Sequence, residues 1–250
     1  MEKLTVLVIT KNEEYNIKRC LESVHSIADE IIVVDSYSTD RTIEICQQLG
    51  AKIIQHPFAG YIEQKNFALT QANHELIFSI DADEALSKEL EAAILNVKQN
   101  VTADGYTMNR LTNYCGKWIH HCGWYPDVKL RLFNRKASWG GTNPHDKIIM
   151  QSGSKVSHLG GDLLHYSYHS LNDHIEQIKR FTEIGAKEAF AKGVRSSVPK
   201  IIVKATVKFF RYYFFKLGFL DGFYGFVICA NSSFATYLKY VRIRMMQNQK

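Results

Sequence analysis

The chain begins with a nearly unbroken apolar run of strand length, Leu4-Thr-Val-Leu-Val-Ile-Thr10. Similar runs recur at residues 31–34, 51–55 and 76–80. Strands that are covered by helices on both faces of a parallel sheet have this composition. Helix-length segments separate the runs, at residues 14–27, 39–49 and 61–72. This alternation of strands and helices over the first 80 residues predicts an α/β fold with a doubly wound sheet.

The pattern changes further along the chain. A helix is predicted at residues 86–98 and another at 171–192, because apolar residues recur there at helical spacing. Between them, residues 104–150 are rich in Gly, Trp and Asn, with short strand patterns at 106–109 and 129–133. We expect irregular β structure in this region that completes a binding site.

Composition indicates a globular protein with an uneven charge. Of the 250 residues, 46% are hydrophobic and 22% charged, which excludes a mainly disordered chain. The formal net charge is +6, yet residues 195–250 alone hold ten Lys and Arg and a single acid, Asp221. This basic C-terminal segment indicates that the protein binds an anionic surface. The N-terminus runs directly into a strand pattern without the features of a signal peptide, so a cytoplasmic protein is expected.

The basic end has the pattern of a helix at a membrane interface. Four cations recur at helical spacing, namely Lys200, Lys204, Lys208 and Arg211, and ten of the 18 residues from 209 to 226 are aromatic. A spanning helix is disfavoured because Asp221 would lie near mid-bilayer, although a re-entrant hairpin at Asp221-Gly222 stays open. The alternative is packing on the same domain or on a second copy in a homodimer. A nucleic-acid partner is not expected.

Polar motifs follow the predicted strands where ligands bind in an open α/β sheet, at the carboxyl ends. Asp81 and Asp83 come directly after residues 76–80, and two carboxylates at this spacing can share Mg²⁺ or Mn²⁺. The segments 10–14 and 35–42 follow the first two strands. Because no G-x-G-x-x-G follows the first strand and no P-loop motif occurs, neither a dinucleotide nor a P-loop enzyme is indicated.

In combination, Thr10-Lys-Asn-Glu13, Val34-Asp-Ser-Tyr-Ser-Thr-Asp40 and Asp81-Ala-Asp83 resemble the motifs of inverting family 2 glycosyltransferases with the GT-A fold. In particular, the chain resembles bacterial lipopolysaccharide-core β-1,4-glucosyltransferases, and the likeness extends through residues 123–135 and 144–147. The resemblance implies a nucleotide-sugar-binding domain with a Rossmann-like mixed sheet flanked by helices. We place this domain at residues 1–195 and a helical membrane-interface segment at 196–250.

The resemblance also implies roles for single residues. The residues that match the nucleotide-sugar-binding positions are Thr10, Asn12, Glu13, Asp35, Lys65 and Asp81. Among them, Asp35 matches the acid that holds the uridine part and Lys65 matches a basic residue near the diphosphate. Asp83 matches the more direct ligand of the divalent cation, with Asp81 beside it. His165 is a candidate third ligand, or else a buried or interface histidine.

Inverting transfer is a single displacement that needs a general base. The family's pattern points to Asp146 for this role, although relatives of this type more often have Glu after the His; Asp127 is the rival. Arg131 and Arg135 alternate with apolar residues at strand spacing, which predicts that they point together and grip an anionic acceptor. An ordinary polar strand face is the alternative.

The implied activity is the transfer of a hexose, glucose from UDP-glucose, onto a lipid-linked saccharide such as the lipopolysaccharide inner core. The enzyme would then be cytoplasmic and peripheral on the inner face of the bacterial cytoplasmic membrane, with an anionic membrane surface as a partner. Two alternatives stay open. One is a family 2 transferase that acts on another cell-surface polysaccharide intermediate or on a protein. The other is a nucleotide-sugar-binding protein without turnover.

Overall fold

The computed structural model describes residues 1–142 and 145–248. The strands are β1 (Leu4–Thr10), β2 (Glu30–Asp35), β3 (Lys52–Gln55), β4 (Leu76–Asp81), β5 (Glu84–Leu86), β6 (Gly105–Tyr114), β7 (Lys117–Ile119), β8 (Asp127–Asn134), β9 (Ser138–Thr142), β10 (His145–Ile149) and β11 (Val156–Tyr168). The α-helices are α1 (Ile17–Val24), α2 (Thr42–Gln48), α3 (Tyr61–Gln71), α4 (Lys88–Gln99), α5 (Leu171–Ala191), α6 (Val198–Phe210) and α7 (Gly222–Asn248). The strands and helices that the sequence predicted before residue 100 are thereby confirmed.

The chain divides into two compact units, of which the first contains Met1–Arg110 and Asp127–Tyr166. Its main sheet has the strand order β3-β2-β1-β4-β8-β6-β11-β5. Strands β1 to β4 are parallel to their neighbours within this set, and β8 runs antiparallel beside β4. In the parallel register, Thr10 lies opposite Asp35, and Ile9 lies opposite Asp81. The topology therefore brings the ends of three strands to one edge of the sheet.

The apolar run of β1 is unbroken because both faces of the sheet are covered. Val6 and Val8 pack in one cluster with residues of α1 and α4, whereas Leu7 packs in a second cluster with residues of α3. Successive side chains of a strand point to opposite faces, so a strand with helices on both sides needs apolar residues at every position.

Two features of this sheet differ from expectation. The short strands predicted at 106–109 and 129–133 lie within longer strands, β6 and β8, which pair with each other around a register shift and extend the main sheet beyond β4. Strand β11, 13 residues long, was not predicted. Its centre contains Gly160 and Gly161, and glycine weakens the strand signal that β-branched and aromatic residues give.

The second unit contains Leu111–Pro126 and Ser167–Lys250. Helix α7 packs against α5 and α6, and a π-helical turn (Arg211–Phe215) and a 3-10 turn (Gly218–Asp221) connect α6 with α7. The division differs from the boundary expected at 195/196, where the charge of the sequence changes. Packing does not follow that change of charge, because α5 lies with the C-terminal helices.

No single helix in the described part of the chain meets the length and hydropathy expected of a membrane span. Residues 198–215 and 218–248 meet that criterion only as a pair, and the pair is bent by 71°.

The close approach of β11 to helix α4 generates a stability prediction. Gly161 has φ +89°, and a Cβ there would overlap the backbone of Leu90 and lie 2.8 Å from the carbonyl carbon of Glu89. We expect Gly161→Ala to lower the free energy of unfolding by about 2 kcal/mol, measured by urea denaturation. Gly160→Ala is the matched control because nothing in the described structure lies within 4 Å of its added Cβ. Equal losses in the two variants would contradict the described packing.

Candidate active site

A buried lysine joins two carboxylates at the carboxyl edge of the parallel strands. Asp81 ends β4, Lys65 lies on α3, and Asp146 lies on β10. The Lys65 ammonium is 3.0 Å from Asp81 Oδ1 and 2.9 Å from Asp146 Oδ2. Only 5% of the lysine side chain is exposed, so the two carboxylates replace water as its partners. Strand topology and the β9–β10 hairpin thus bring together residues that are 81 positions apart.

The ion pairs continue away from Lys65 along β8 and β6. Arg131 Nη2 lies 2.6 Å from Asp81 Oδ2 and 2.8 Å from Glu84 Oε1, and both Arg131 and Glu84 are buried. Arg110 then pairs with Glu84 at 3.4 Å and with Asp127 at 2.7 Å. The result is a chain of alternating charges, which we call the ion-pair chain: Asp146, Lys65, Asp81, Arg131, Glu84, Arg110 and Asp127.

The chain of charges shifts the pKa values of its members. Burial raises the pKa of a carboxyl, but Arg131 and Lys65 outweigh burial and hold the pKa of Asp81 well below its usual range. Burial likewise raises the pKa of Asp127, and Arg110 and Lys129 lower it below the ordinary value. Both carboxylates are therefore ionised at neutral pH, and Asp127 is a weak base.

A polar cavity of about 470 Å³ opens beside the ion-pair chain. Its lining residues are Lys65, Asp81, Arg110, Val128, Lys129, Leu130, Arg131, Trp139, Asp146, Lys147 and Ile148. The Trp139 ring lies 4.3 Å from the Lys65 ammonium, and Asn66 hydrogen-bonds both the N–H and the C=O of Trp139 at 2.9 Å. Lys65 and Asn66 are adjacent on α3, and both contact Trp139. This wall of the cavity is therefore preformed.

The two loops that follow β1 and β2 are tied to each other. Asn12 donates its N–H to Ser38 Oγ and accepts the Thr39 N–H, both at 2.8 Å. Asp35 is fully buried and accepts the Ser38 N–H at 2.9 Å. Asp35 and Asn12 thus order the paired loops, and the role in holding the uridine part that the resemblance implies for Asp35 stays a prediction.

Thr10 and Glu13 lie within the same pair of loops. The C=O of Thr10 accepts the Ser36 N–H at 2.9 Å, and Glu13 donates its N–H to Thr42 Oγ1 at 2.8 Å. Burial raises the pKa of the Glu13 carboxyl, with Asn16 opposing the shift and Asp83 adding to it. The nucleotide-binding residues expected from the sequence therefore gather at one edge, as the topology requires.

The residues expected to bind a metal divide into two groups. Asp81 pairs with cations, whereas Asp83 Oδ2 lies 3.2 Å from His165 Nε2. A carboxylate oxygen and an imidazole nitrogen are donors of the kinds that divalent cations such as Mn²⁺ bind. Within residues 1–142 and 145–248, however, no group of three or more His, Cys, Asp or Glu side chains is placed to hold a metal ion.

Arg131 and Arg135 do not point together, as their spacing along the strand had predicted. Arg131 lies in the ion-pair chain, but Arg135 follows the end of β8, is exposed, and donates its N–H to the C=O of Glu75 before β4. Arg135 therefore lies at the opposite edge of the sheet from Asp81.

Lys129 shares the cavity with Arg131 instead, and neither Lys129 nor Arg110 was predicted from the sequence. The alternation of charges at 127, 129 and 131 was the available signal for Lys129. Pro144 of the expected motif lies outside the described residues.

Comparison with known proteins agrees with the fold and the motifs. The model of the glycosyl transferase family 2 matches residues 5–153. An uncharacterized glycosyltransferase of Rickettsia bellii (strain RML369-C) is 33% identical over 262 residues, which cover 99% of this chain and 88% of the relative. The lipopolysaccharide core biosynthesis glycosyltransferase LpsC of Rhizobium meliloti (strain 1021) is 29% identical over 84% of this chain and 80% of its own length.

Among solved structures, part of the chain matches glucosyl-3-phosphoglycerate synthase of Mycobacterium tuberculosis, in complex with Mn²⁺, UDP and glucosyl-3-phosphoglycerate. It is 20% identical and covers 45% of this chain and 44% of its own, with a TM-score of 0.38. A mixed sheet with flanking helices and these motifs define a glycosyltransferase of the GT-A fold. The chain belongs to glycosyltransferase family 2.

The ion-pair chain predicts unequal effects of two arginine substitutions. Arg131→Met removes a partner of both Asp81 and Glu84 and leaves buried negative charge, so we expect a loss of about 3 kcal/mol in the free energy of unfolding. Arg135→Met, just beyond the end of β8 and exposed, should change it by less than about 0.5 kcal/mol. Urea denaturation of both variants measures the difference. A destabilisation by Arg135→Met as large as that by Arg131→Met would be inconsistent with the chain of ion pairs.

Proposed function

We propose that this family 2 glycosyltransferase moves a hexose, glucose from UDP-glucose, with inversion onto a lipid-linked saccharide such as the lipopolysaccharide inner core. The observation that carries the proposal is the placement of Lys65 between Asp81 and Asp146 in the wall of the cavity. A cation for the departing diphosphate and a carboxylate for the acceptor hydroxyl are the two groups that such a displacement needs. The similarity to LpsC, a lipopolysaccharide core biosynthesis glycosyltransferase, supports this class of acceptor.

Asp146 is our proposed general base. It lines the cavity and has Lys65 as an ion-pair partner, so a phosphate that attracts Lys65 would leave the carboxylate free to accept the proton of an acceptor hydroxyl. The rival Asp127 lies between Arg110 at 2.7 Å and Lys129 at 2.9 Å, which lower its pKa and weaken it as a base. The environment therefore favours Asp146 over Asp127.

A divalent cation, Mg²⁺ or Mn²⁺, fits the charge balance of the site. The four acids of the ion-pair chain face four cations when Lys129 is counted with Arg110, Arg131 and Lys65. A diphosphate adds negative charge to this balanced set. We propose Asp83 and His165 as the residues that hold the cation. When bound, the cation neutralises charge on the departing diphosphate.

The nucleotide end of the donor is proposed to rest on the paired loops after β1 and β2. Thr10, Asn12 and Glu13 line the first loop, and Asp35 fixes the second from beneath. Under this proposal, Asp35 acts by ordering the loop that receives the uridine. The C-terminal helices would bring the enzyme to the inner face of the cytoplasmic membrane, where a lipid-linked acceptor is found.

Two other functions remain candidates within this proposal. A family 2 transferase that acts on another surface polysaccharide intermediate or on a protein would use the same donor site. A nucleotide-sugar-binding protein without turnover would need the loops but not Asp146. The presence of a carboxylate and an ammonium together in the cavity wall favours turnover.

The assignment of the base predicts different outcomes for two isosteric variants. Asp146→Asn should lower kcat at least about a hundredfold, because general-base catalysis contributes about 10²–10⁴ to such rates. Its affinity for UDP should stay close to that of the unsubstituted protein. Asp127→Asn should retain kcat within about tenfold. Transfer of radiolabelled glucose from UDP-glucose to the lipid fraction of bacterial membranes measures both.

Full activity of Asp146→Asn together with loss of activity in Asp127→Asn would identify Asp127, and not Asp146, as the general base. Unchanged cellular phenotypes in both variants, with UDP binding intact, would favour the non-catalytic binding protein.

A further inference from the structure

The connection between α6 and α7 carries a continuous set of exposed apolar side chains. We call this set the aromatic tip, and its members are Phe214, Phe215, Leu217, Phe219, Leu220 and Phe223. Phe215 is 82% exposed and Phe223 is 73% exposed. Soluble proteins rarely leave a cluster of large apolar side chains in water unless it contacts a partner or a membrane.

The aromatic tip continues into an apolar stripe on α6. Val203, Val207 and Phe210 are about half exposed and lie at helical spacing from Phe214. The rings of Phe210 and Phe214 are stacked, with centroids 5.7 Å apart. Because the opposite side of α6 packs on α7 through Phe209, this stripe faces away from the core of the second unit.

The tip is held in place by a buried acid. Asp221 accepts the N–H of His120 at 3.3 Å, the N–H of His121 at 2.9 Å, and lies 3.0 Å from His121 Nδ1. The Cys122 N–H also donates to the C=O of Lys216 at 3.0 Å. In the sequence, Asp221 counted against a spanning helix, and the structure buries this residue among hydrogen-bond donors. Its charge therefore does not oppose contact of the tip with lipid.

The charges that surround the tip are positive. Lys204, Arg211 and Lys216 are exposed, and Lys208 lies 3.6 Å from the centre of the Tyr212 ring. Within residues 195–248, the single acid is the buried Asp221. The surface beside the tip is thus complementary to anionic lipid headgroups, which attract Lys and Arg near a bilayer.

The other side of α7 is covered by a charged helix. Arg242 lies 3.4 Å from Glu183 of α5, and Asn231 Nδ2 lies 3.1 Å from His174 Nδ1 of the same helix. The many charged side chains of α5 disfavour the hydrocarbon region, so α7 would not cross a bilayer while it is packed on α5. Contact with lipid is then limited to the aromatic tip and the stripe on α6.

We propose that the aromatic tip inserts as a preformed wedge into one leaflet of an anionic membrane, with Lys204, Arg211 and Lys216 at the level of the lipid phosphates. The wedge is monotopic: it enters the headgroup and upper acyl region without spanning the bilayer. This inference rests on the proposed placement of the C-terminal helices at the membrane and deepens it by naming the side chains that enter the leaflet; lipid binding by the wedge does not itself depend on sugar transfer.

The test is co-sedimentation of the full chain with vesicles. One set of vesicles is pure phosphatidylcholine, and in the other a third of the lipid is phosphatidylglycerol. We expect binding to the anionic vesicles, and we expect Phe215→Ser to weaken that binding about tenfold because one large apolar side chain leaves the lipid. Arg211→Gln should weaken it about fivefold on anionic vesicles alone. Tyr15→Ser is the matched control, because Tyr15 is 81% exposed in the first unit.

A second measurement separates insertion from surface attachment and from self-association. Phe215→Trp should gain fluorescence that brominated acyl chains quench, whereas attachment by charge alone would leave it unquenched. Sedimentation velocity of the lipid-free protein tests the alternative that a second copy of the chain covers the aromatic tip. Dimerisation that Phe215→Ser abolishes, without vesicle binding, would overturn the wedge in favour of a second copy. Binding of UDP to the same samples shows whether the donor site is intact, so failure of the wedge is distinguishable from failure of the proposed function.

Discussion

Pairing of buried charge is the constraint on which the rest of the active site depends. Lys65 is almost completely buried, and an unpaired ammonium in that position would be strongly destabilising. Its two carboxylate partners come from β4 and β10, and the Asp81 carboxylate is shared with Arg131 of β8. The positions of three elements are thereby linked to a single ammonium group. The same arrangement leaves a cation and a carboxylate side by side in the wall of a cavity.

The sequence predicts the parallel half of the first unit well. The apolar runs that became β1, β2 and β4 pack against helices on both faces of the sheet, so their apolar composition indicates this environment directly. Once the strand order is known, the position of Thr10 opposite Asp35 follows from topology alone. The ends of adjacent parallel strands meet, and the polar residues that follow them must gather at one edge.

The antiparallel half was less predictable, for physical reasons that single residues illustrate. Alternation along β8 places Arg131 correctly on one face, but it does not show that the strand ends at Asn134, and Arg135 therefore lies beyond the strand at the opposite edge. The contact of Lys65 with Asp146 joins residues 81 positions apart, and no local pattern encodes such a distance. Asp221 shows the same limit. The sequence predicts that its charge is costly inside a bilayer, but it does not show that the N–H groups of residues 120 and 121 bind this carboxylate within the protein.

Under the proposed function, the paired loops and the charged cavity bind a uridine diphosphate sugar together with a divalent cation. The most direct measurement is a thermal-shift titration of the purified chain with UDP, GDP, CDP and ADP, each in Mn²⁺ or in EDTA. We expect UDP in Mn²⁺ to stabilise the protein by about 2.7 kcal/mol at a hundredfold excess over Kd, and we expect EDTA to remove this stabilisation. Stabilisation by no nucleotide, or by all four equally, would contradict it.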